Sequence, residues 1–171
     1  MHEHQQTPSP WVVRWAPLVA RGPVLDVAAG AGRHARLFAE RGLEVVAVDR
    51  EAQAIPGVEF VKADLEDGSP WPFAARRFGG IVVTNYLHRP LLPALVTGLA
   101  DGGVLIYETF MIGNERFGRP TNPSFLLRPG ELLEAFRTLT PIAFEQGATG
   151  KAVVQRICAV RDSVERARIV A

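Results

Sequence analysis

The chain lacks the features that mark several classes of protein. It contains one cysteine among 171 residues, so no internal disulfide can form. That residue, Cys158, lies in an apolar stretch and is predicted to be a small buried hydrophobic residue. No apolar run approaches the length that spans a membrane, and the N-terminal residues lack the charged and then apolar order of a signal peptide. We therefore expect a domain that folds in the reducing cytoplasm and is not bound to a membrane.

The chain also has no large excess of positive or negative charge. The 19 basic and 18 acidic residues leave a net charge of +1, and the arginines are spread among acids. This balance predicts no nucleic-acid partner and no attachment to a membrane surface. A chain of this length is expected to form one domain, residues 1–171, that buries about two thirds of its unfolded surface.

Four apolar runs indicate the fold. Residues 24–28, 45–48, 81–83 and 104–106 are apolar without alternation, which is typical of strands buried on both faces. Such strands form a mostly parallel sheet with helices on either side, the doubly wound α/β class. The remaining predicted elements are helices at 10–19, 33–41, 90–100 and 129–136, a strand at 58–64, a turn at 101–103, and a closing hairpin of strands 142–145 and 152–160. Only residues 50–57 join the second and third strands, so a single turn or a tight loop is expected there.

The segment 1–22 is predicted to hold an N-terminal helix that covers the sheet or acts as a lid. Ser9 and Pro10 have the residue types of a helix cap and of the first helical position. Trp11 and Trp15 recur at helical spacing. They can cover a pocket or pack in the core, and core packing is the more common outcome for such residues.

A glycine turn follows the first strand. Gly30 and Gly32 allow the backbone to approach a ligand closely, and the N–H groups that open the next helix can hold a negative group. Asp49 ends the second strand, where an acid can accept hydrogen bonds from ribose hydroxyls. The pattern therefore predicts a nucleotide-cofactor site.

Two cofactors fit this turn. Gly30-x-Gly32-x-x-Ala35, with Asp49 about twenty residues further on, satisfies a pattern for NAD. Asp26 argues against it, because a carboxylate inside the first strand suits an amino group better than a pyrophosphate. No Tyr-x-x-x-Lys pair follows. An NAD-linked oxidoreductase remains the alternative interpretation.

Over nearly its whole length the chain resembles the class I S-adenosylmethionine-dependent methyltransferases. Their motif acid-x-Gly-x-Gly-x-Gly stands here as residues 26–32. Asp49 matches the ribose acid, and Asp64-Leu65 resembles the pair beside the adenine ring. The chain is most similar to small bacterial methyltransferases of the tellurite-resistance and thiopurine type. The resemblance implies a seven-stranded sheet with a reversed last strand and S-adenosylmethionine as cofactor.

The sequence departs from the family's pattern at two positions that bear on the site. Ala28 replaces the first glycine of the motif, which requires a negative φ at that position. The segment 85–88 reads Asn-Tyr-Leu-His, unlike the Asn/Asp-Pro-Pro-Tyr signature of enzymes that methylate nucleobase nitrogens. The predicted cofactor-binding residues are Asp26, Ala28, Gly30, Gly32, Arg33, Asp49, Asp64, Leu65 and Asn85.

Acceptor contacts are expected from two places. Tyr86 and His88 follow the fourth strand at the edge where ligands bind, and they are the candidates for a catalytic role. His34 is expected to pack or face solvent. The long segment 111–128 is predicted to be a substrate loop. Its polar residues can bind an anionic substrate or pair with nearby glutamates; they are Asn114, Arg116 and Arg119, with Arg128 at its end.

The expected function is methyl transfer to a small molecule by in-line displacement. A non-catalytic S-adenosylmethionine-binding module is a further alternative, since no residue pattern marks a strong catalytic group. No metal site is predicted. The protein is expected to be a monomer or a homodimer.

Overall fold

The computed structural model describes residues 6–169. Residues 1–5 of the predicted N-terminal segment, and the last two residues of the chain, lie outside this range. The strands are β1 Val24–Val27, β2 Val45–Asp49, β3 Glu59–Lys62, β4 Phe78–Thr84, β5 Leu99–Phe110, β6 Thr140–Ala148 and β7 Val153–Val160. The α-helices are α1 Pro10–Trp15, α2 Arg33–Glu40, α3 Leu92–Gly98 and α4 Glu131–Ala135.

The strands form one seven-stranded sheet in the order β3-β2-β1-β4-β5-β7-β6. Strands β1 to β5 pair in parallel. Strand β7 runs antiparallel to both β5 and β6, between which it lies. The doubly wound α/β fold with a reversed last strand is thus confirmed. The chain order reverses between β1 and β4, and ligands bind at such a switch point.

Two apolar cores cover the two faces of the sheet. On one face, Leu25 and Ile81 join a cluster that includes Leu95 of α3 and Leu132 of α4. On the other, Val82 belongs to a cluster that also holds side chains of α1 and α2. Successive strand residues point to opposite faces, so a strand with a layer of helices on each side must be apolar throughout.

Helix α1 is part of the second core. Ser9 caps the helix by accepting a hydrogen bond from the backbone N–H of Trp11, and Pro10 occupies the first turn. The indoles of Trp11 and Trp15 are almost fully buried, and Trp11 Nε1 donates to the carbonyl of Ile157 in β7. Core packing is therefore the outcome for both tryptophans, while a lid role for the segment before them stays a prediction.

Strand β5 begins earlier than predicted. A helix to residue 100 and a turn at 101–103 were expected, but α3 ends at Gly98 and Leu99 already pairs with Phe78 of β4. A bulge between Phe78 and Gly80 absorbs the change of register. Local sequence preference does not reveal this pairing, because the partner lies about twenty residues away.

Two crossovers contain no helix. Residues 50–58, between β2 and β3, form a loop, as their short length predicted, and residues 63–77 reach β4 through turns. Within residues 6–169, no helix has the length and apolarity needed to cross a membrane. Cys158 is buried as predicted, and burial raises the pKa of its thiol to about 12.

Candidate cofactor and acceptor site

The glycine turn and the acid of β2 are in direct contact. Asp49 Oδ2 accepts a hydrogen bond of 2.8 Å from the N–H of Gly30, and Oδ1 accepts one of 2.9 Å from Glu51 N. The carboxylate therefore lies at the bend of the chain after β1. The Gly30 N–H is thus bonded to an acid of the chain itself.

Backbone conformation explains the glycines of the turn. Gly30 has φ +54°, and no protein atom lies within 4 Å of the place where a Cβ would be. Gly32 has φ +79°, and a Cβ there would come within 2.3 Å of Ile55. The space at Gly30 is thus open, whereas Gly32 packs against the side chain of Ile55.

The prediction for Ala28 is wrong. This residue has φ +53°, although a negative value was expected where alanine replaces the first glycine of the motif. The left-handed conformation costs a residue with a Cβ roughly 1–2 kcal/mol. The neighbouring residue supports it, because Ala29 N donates to the carbonyl of Val48 in β2. Tertiary structure holds the turn in the shape that a glycine would favour.

Asp26 lies beneath the turn. Its side chain is 1% exposed, and Oδ2 accepts a hydrogen bond of 2.9 Å from Ala35 N in the first turn of α2. Burial raises the pKa of this carboxyl to about 7, although the Ala35 N–H and the charge of Arg33 act in the opposite direction. The buried group is therefore poised to respond to a nearby positive charge.

A cavity of about 440 Å³ opens in front of this arrangement; we call it the cofactor pocket. It brings together four predicted cofactor residues, Ala28, Asp49, Asp64 and Leu65. A carboxylate has lone pairs for more than two hydrogen bonds, so Asp49 can still accept from a ribose diol. The open space at Gly30, the acid and the volume fit an adenosyl ligand. The lining residues are Ala28, Asp49, Arg50, Glu51, Ala63, Asp64, Leu65, Glu66, Tyr86 and Phe125.

A smaller cavity of about 210 Å³, the acceptor pocket, adjoins the first. The two share Glu66, Tyr86 and Phe125. The smaller one lies at the carboxyl ends of β4 and β5, where Asn85, predicted to bind the cofactor, is found. Its lining residues are Glu66, Asn85, Tyr86, Leu87, Thr109, Phe110, Pro120 and Phe125.

Tyr86 is held through its backbone. Its carbonyl accepts a hydrogen bond of 2.7 Å from the hydroxyl of the buried Tyr107. Burial and the nearby carboxylate of Glu66 raise the pKa of its phenol. Asn85, just before it, adopts φ +54°, a conformation that asparagine tolerates better than most residues. The strand end therefore fixes the Tyr86 ring between the two pockets.

Arg89 fixes the opposite wall. Its guanidinium makes two hydrogen bonds to Glu131, of 2.6 and 3.1 Å. It also donates to the carbonyls of Ser124 and Leu126, at 2.9 and 2.8 Å. These two residues flank Phe125, so the ion pair holds that phenylalanine at the mouth of the pockets.

Other predicted site residues lie outside both pockets. His88 lines a separate groove of about 790 Å³ beside Trp71, which also shares residues 63–66 with the cofactor pocket. Arg33 donates to the carbonyl of Thr7 at 3.1 Å, next to the turn. His34 is buried, accepts a hydrogen bond from Ser9 N at 3.0 Å, and has its pKa lowered to about 3 by burial, so it packs as expected.

The predicted donors of the substrate loop are used within the protein or face solvent. Asn114 is 2% exposed; its Oδ1 accepts from Val153 N and its Nδ2 donates to the carbonyl of Pro120. Its amide therefore holds the loop together, and its contact with substrate stays a prediction. Arg116 bonds to the carbonyl of Gly113, and Arg119 is exposed.

Nine of the residues that line the two pockets were not predicted individually. Arg50 and Glu51 follow Asp49 directly, and Glu66 follows the predicted pair Asp64-Leu65, so adjacency to predicted residues was the available signal. Phe125 lies in segment 111–128, which was predicted to be a substrate loop, but no periodic pattern singled it out. Its place depends on Arg89, far away in the sequence.

Comparison with known proteins agrees with this site. The sequence model of the methyltransferase-domain family matches residues 25–95, the part of the chain that carries the glycine turn, Asp49, Asp64 and Tyr86. No curated protein sequence matches the chain.

Several solved structures share the fold. TehB from Haemophilus influenzae has a TM-score of 0.72 at 16% identity over 90% of this chain, which spans 62% of the TehB chain. The 1,6-didemethyltoxoflavin-N1-methyltransferase from Burkholderia thailandensis, solved with S-adenosylhomocysteine, has a TM-score of 0.62 at 20% identity, covering 90% of this chain and 76% of that one. The N-methyltransferase NodS from Bradyrhizobium japonicum has a TM-score of 0.63 at 15% identity, covering 95% and 100%.

The match to a methyltransferase-domain model favours S-adenosylmethionine over the NAD-linked alternative. That match covers residues 25–95, less than half of the chain, and at these identities the solved structures establish the fold alone.

Proposed function

We propose that the protein methylates a small molecule by direct transfer from S-adenosylmethionine. The observation that carries the proposal is the contact between Asp49 and the Gly30 turn, beside a cavity that ends at Asp64 and Leu65. A second cavity adjoins it at the ends of β4 and β5. One cavity suits the cofactor and the other suits the acceptor.

Each group of residues has a part in holding the cofactor. Asp49 would accept hydrogen bonds from the ribose hydroxyls, and Asp64 with Leu65 would hold the adenine. The turn at Gly30 would leave room for the amino-acid arm, and the buried carboxyl of Asp26 would favour the positive charge of its ammonium group. Arg33, next to the turn, and Asn85, in the adjoining pocket, complete the predicted set.

The bound cofactor supplies a methyl group attached to a positively charged sulfur. When the acceptor takes the methyl group, the sulfur leaves as a neutral thioether. The protein's contribution is to align the acceptor with this methyl group. Holding two reactants in a near-attack geometry can supply several kcal/mol of rate acceleration. Tyr86 and Phe125, fixed by Tyr107 and Arg89, are the residues that define that alignment.

The small size of the acceptor pocket supports a small-molecule substrate. Among the proteins with this fold, the Burkholderia enzyme is named for methylation of 1,6-didemethyltoxoflavin, and another is a glycopeptide N-methyltransferase. We also propose that the protein acts in the cytoplasm, without nucleic acid, as a monomer or homodimer, in keeping with its balanced charge and single buried thiol.

Calorimetric titration tests the cofactor, and transfer of a labelled methyl group tests the enzyme. We expect one molecule of S-adenosylhomocysteine to bind per chain and NAD not to bind. Incubation with methyl-labelled S-adenosylmethionine and a small-molecule extract should yield a labelled product. Lack of binding would refute the proposal, and binding without any transfer would favour a non-catalytic binding module instead.

A further inference from the structure

We propose that the methyl acceptor is a small, flat, aromatic compound, neutral or cationic, that presents an N–H group to Glu66. Its ring lies against Tyr86 and Phe125 in the acceptor pocket. This inference rests on the proposed function and adds the chemical class of the substrate.

The volume of the pocket limits the acceptor. About 210 Å³ is the share of roughly seven water molecules in the liquid. This is below the range of about 300–1,000 Å³ that is usual for drug-sized ligands. One ring or two fused rings can enter, but a peptide or a folded nucleic acid cannot.

The walls of the pocket favour an aromatic ring. Tyr86, Phe110 and Phe125 contribute aromatic side chains, and Pro120 adds a further apolar surface. Phe125 is 48% exposed and makes none of the ring-to-ring contacts recorded between other aromatic residues of the described chain. Arg89 nevertheless holds its neighbours at short distances. An exposed ring fixed so firmly offers a surface for stacking.

The charge of the site selects against anions. Glu66 is the only charged residue among those that line the acceptor pocket. The adjoining cofactor pocket adds Asp49, Glu51 and Asp64 against one cation, Arg50. An anionic acceptor would be repelled by these carboxylates. The arginines of the loop 111–128, expected to bind an anion, line neither pocket.

Glu66 supplies the specific polar contact. Glu66 lines both pockets together with Tyr86, and the backbone N–H of Glu66 is bonded to Asp64 Oδ1 at 2.9 Å, which fixes the start of the side chain. An ionised carboxylate has several lone pairs, so it can accept a hydrogen bond from an N–H group of the substrate. When the nitrogen forms its bond to the methyl carbon and the carbon–sulfur bond breaks, the electron pair of that bond stays on sulfur. The proton released from nitrogen passes to this carboxylate.

Binding of three probes to the protein saturated with S-adenosylhomocysteine tests the inference by calorimetry. 2-Aminobenzimidazole is flat and carries N–H groups, 2-naphthoate is flat but anionic, and cyclohexylamine is cationic but not aromatic. We expect 2-aminobenzimidazole to bind at least tenfold more tightly than either of the others. Equal or tighter binding of 2-naphthoate would overturn the inference while leaving the proposed function intact. Failure to bind S-adenosylhomocysteine would overturn both.

Two variants locate the binding site. Glu66→Gln keeps the size of the side chain, and it should weaken the binding of 2-aminobenzimidazole about tenfold because a hydrogen bond to a charged group is lost. Phe125→Ala should weaken the binding of 2-aminobenzimidazole about tenfold, because the stacking contact is lost. Phe117→Ala is the matched control, since Phe117 is 44% exposed in the same segment but lines neither pocket. An effect of Phe117→Ala as large as that of Phe125→Ala, or no effect of Glu66→Gln, would contradict the proposed placement.

Discussion

Replacing Asp49 by asparagine is the most direct test of the cofactor site. The carboxylate accepts two backbone hydrogen bonds, from Gly30 N and from Glu51 N, and we propose that it also accepts both ribose hydroxyls. Asparagine has the same shape but only one oxygen, and no charge. Its amino group must therefore face a donor, either in the protein or in the ligand.

The size of the effect follows from the number of hydrogen bonds. A hydrogen bond to a charged group contributes about 1.5–3 kcal/mol and a neutral one about 0.5–1.5 kcal/mol. Weakening two ribose contacts by this difference costs about 2–3 kcal/mol of binding free energy. At 1.4 kcal/mol for each factor of ten, the affinity for S-adenosylhomocysteine should fall roughly 30- to 150-fold.

The assay is calorimetric titration of the wild type and Asp49→Asn with S-adenosylhomocysteine, together with thermal unfolding of each without ligand. Asp67→Asn is the control, because Asp67 accepts a hydrogen bond from the backbone two residues on, as Asp49 does, but lies outside the cofactor pocket. It should bind the ligand within threefold of the wild type. A folded Asp49→Asn variant that also binds within threefold would refute the assignment of this acid to the ribose.

Three further predictions concern the frame of the site. The folded-state pKa of Asp26 is raised from 3.8 to about 7, so the protonated carboxyl favours folding at low pH, and this contribution is lost as pH rises from about 4 to 7. The free energy of unfolding of Asp26→Asn, measured in urea relative to that of the wild type, should therefore rise by up to about 4 kcal/mol between pH 4 and pH 8. If the difference between the two proteins did not change with pH, the raised pKa would be contradicted. The free energy of unfolding of Gly30→Ala should lie within about 1–2 kcal/mol of the wild-type value, yet this variant should lose S-adenosylhomocysteine binding. Gly32→Ala should be clearly less stable. If the two variants were equally stable, the different spaces around the two glycines would not be the reason for their effects. Arg89→Met removes the shorter of the two ion pairs of Glu131, which Arg128 also contacts, and should destabilise by about 2 kcal/mol, with partial recovery when Glu131→Gln is added, as measured in denaturant. No recovery would show that the ion pair is not the cause.

The sheet could be predicted because its strands carry their own signal. Continuous apolar runs such as 24–28 and 81–83 reflect burial on both faces, and the reversed last strand followed from the family resemblance. The boundary at Leu99 could not be predicted, because it depends on pairing with Phe78. The φ of Ala28 was predicted with the wrong sign for a similar reason, since the turn is imposed by contacts with β2.

The candidate site could be predicted only where a motif carried it. Asp49, Asp64 and Leu65, which the family resemblance pointed to, lie together in the cofactor pocket. The acceptor side is different. Phe125 is positioned by Arg89, 36 residues earlier, and the amide of Asn114 is engaged by the backbone N–H of Val153, 39 residues later. Neither relation leaves a periodic pattern in the sequence.

The helix-free crossovers on either side of β3 have a consequence for the dynamics of the protein. Residues 50–58 and 63–77 supply one flank of the cofactor pocket through loops whose amide hydrogens are largely without the protection of a helix. Such segments open at low energetic cost. We expect their amides to exchange with deuterium quickly in the free protein and markedly more slowly once an adenosyl ligand bridges the two loops, so that the ligand completes the structure of this edge of the sheet.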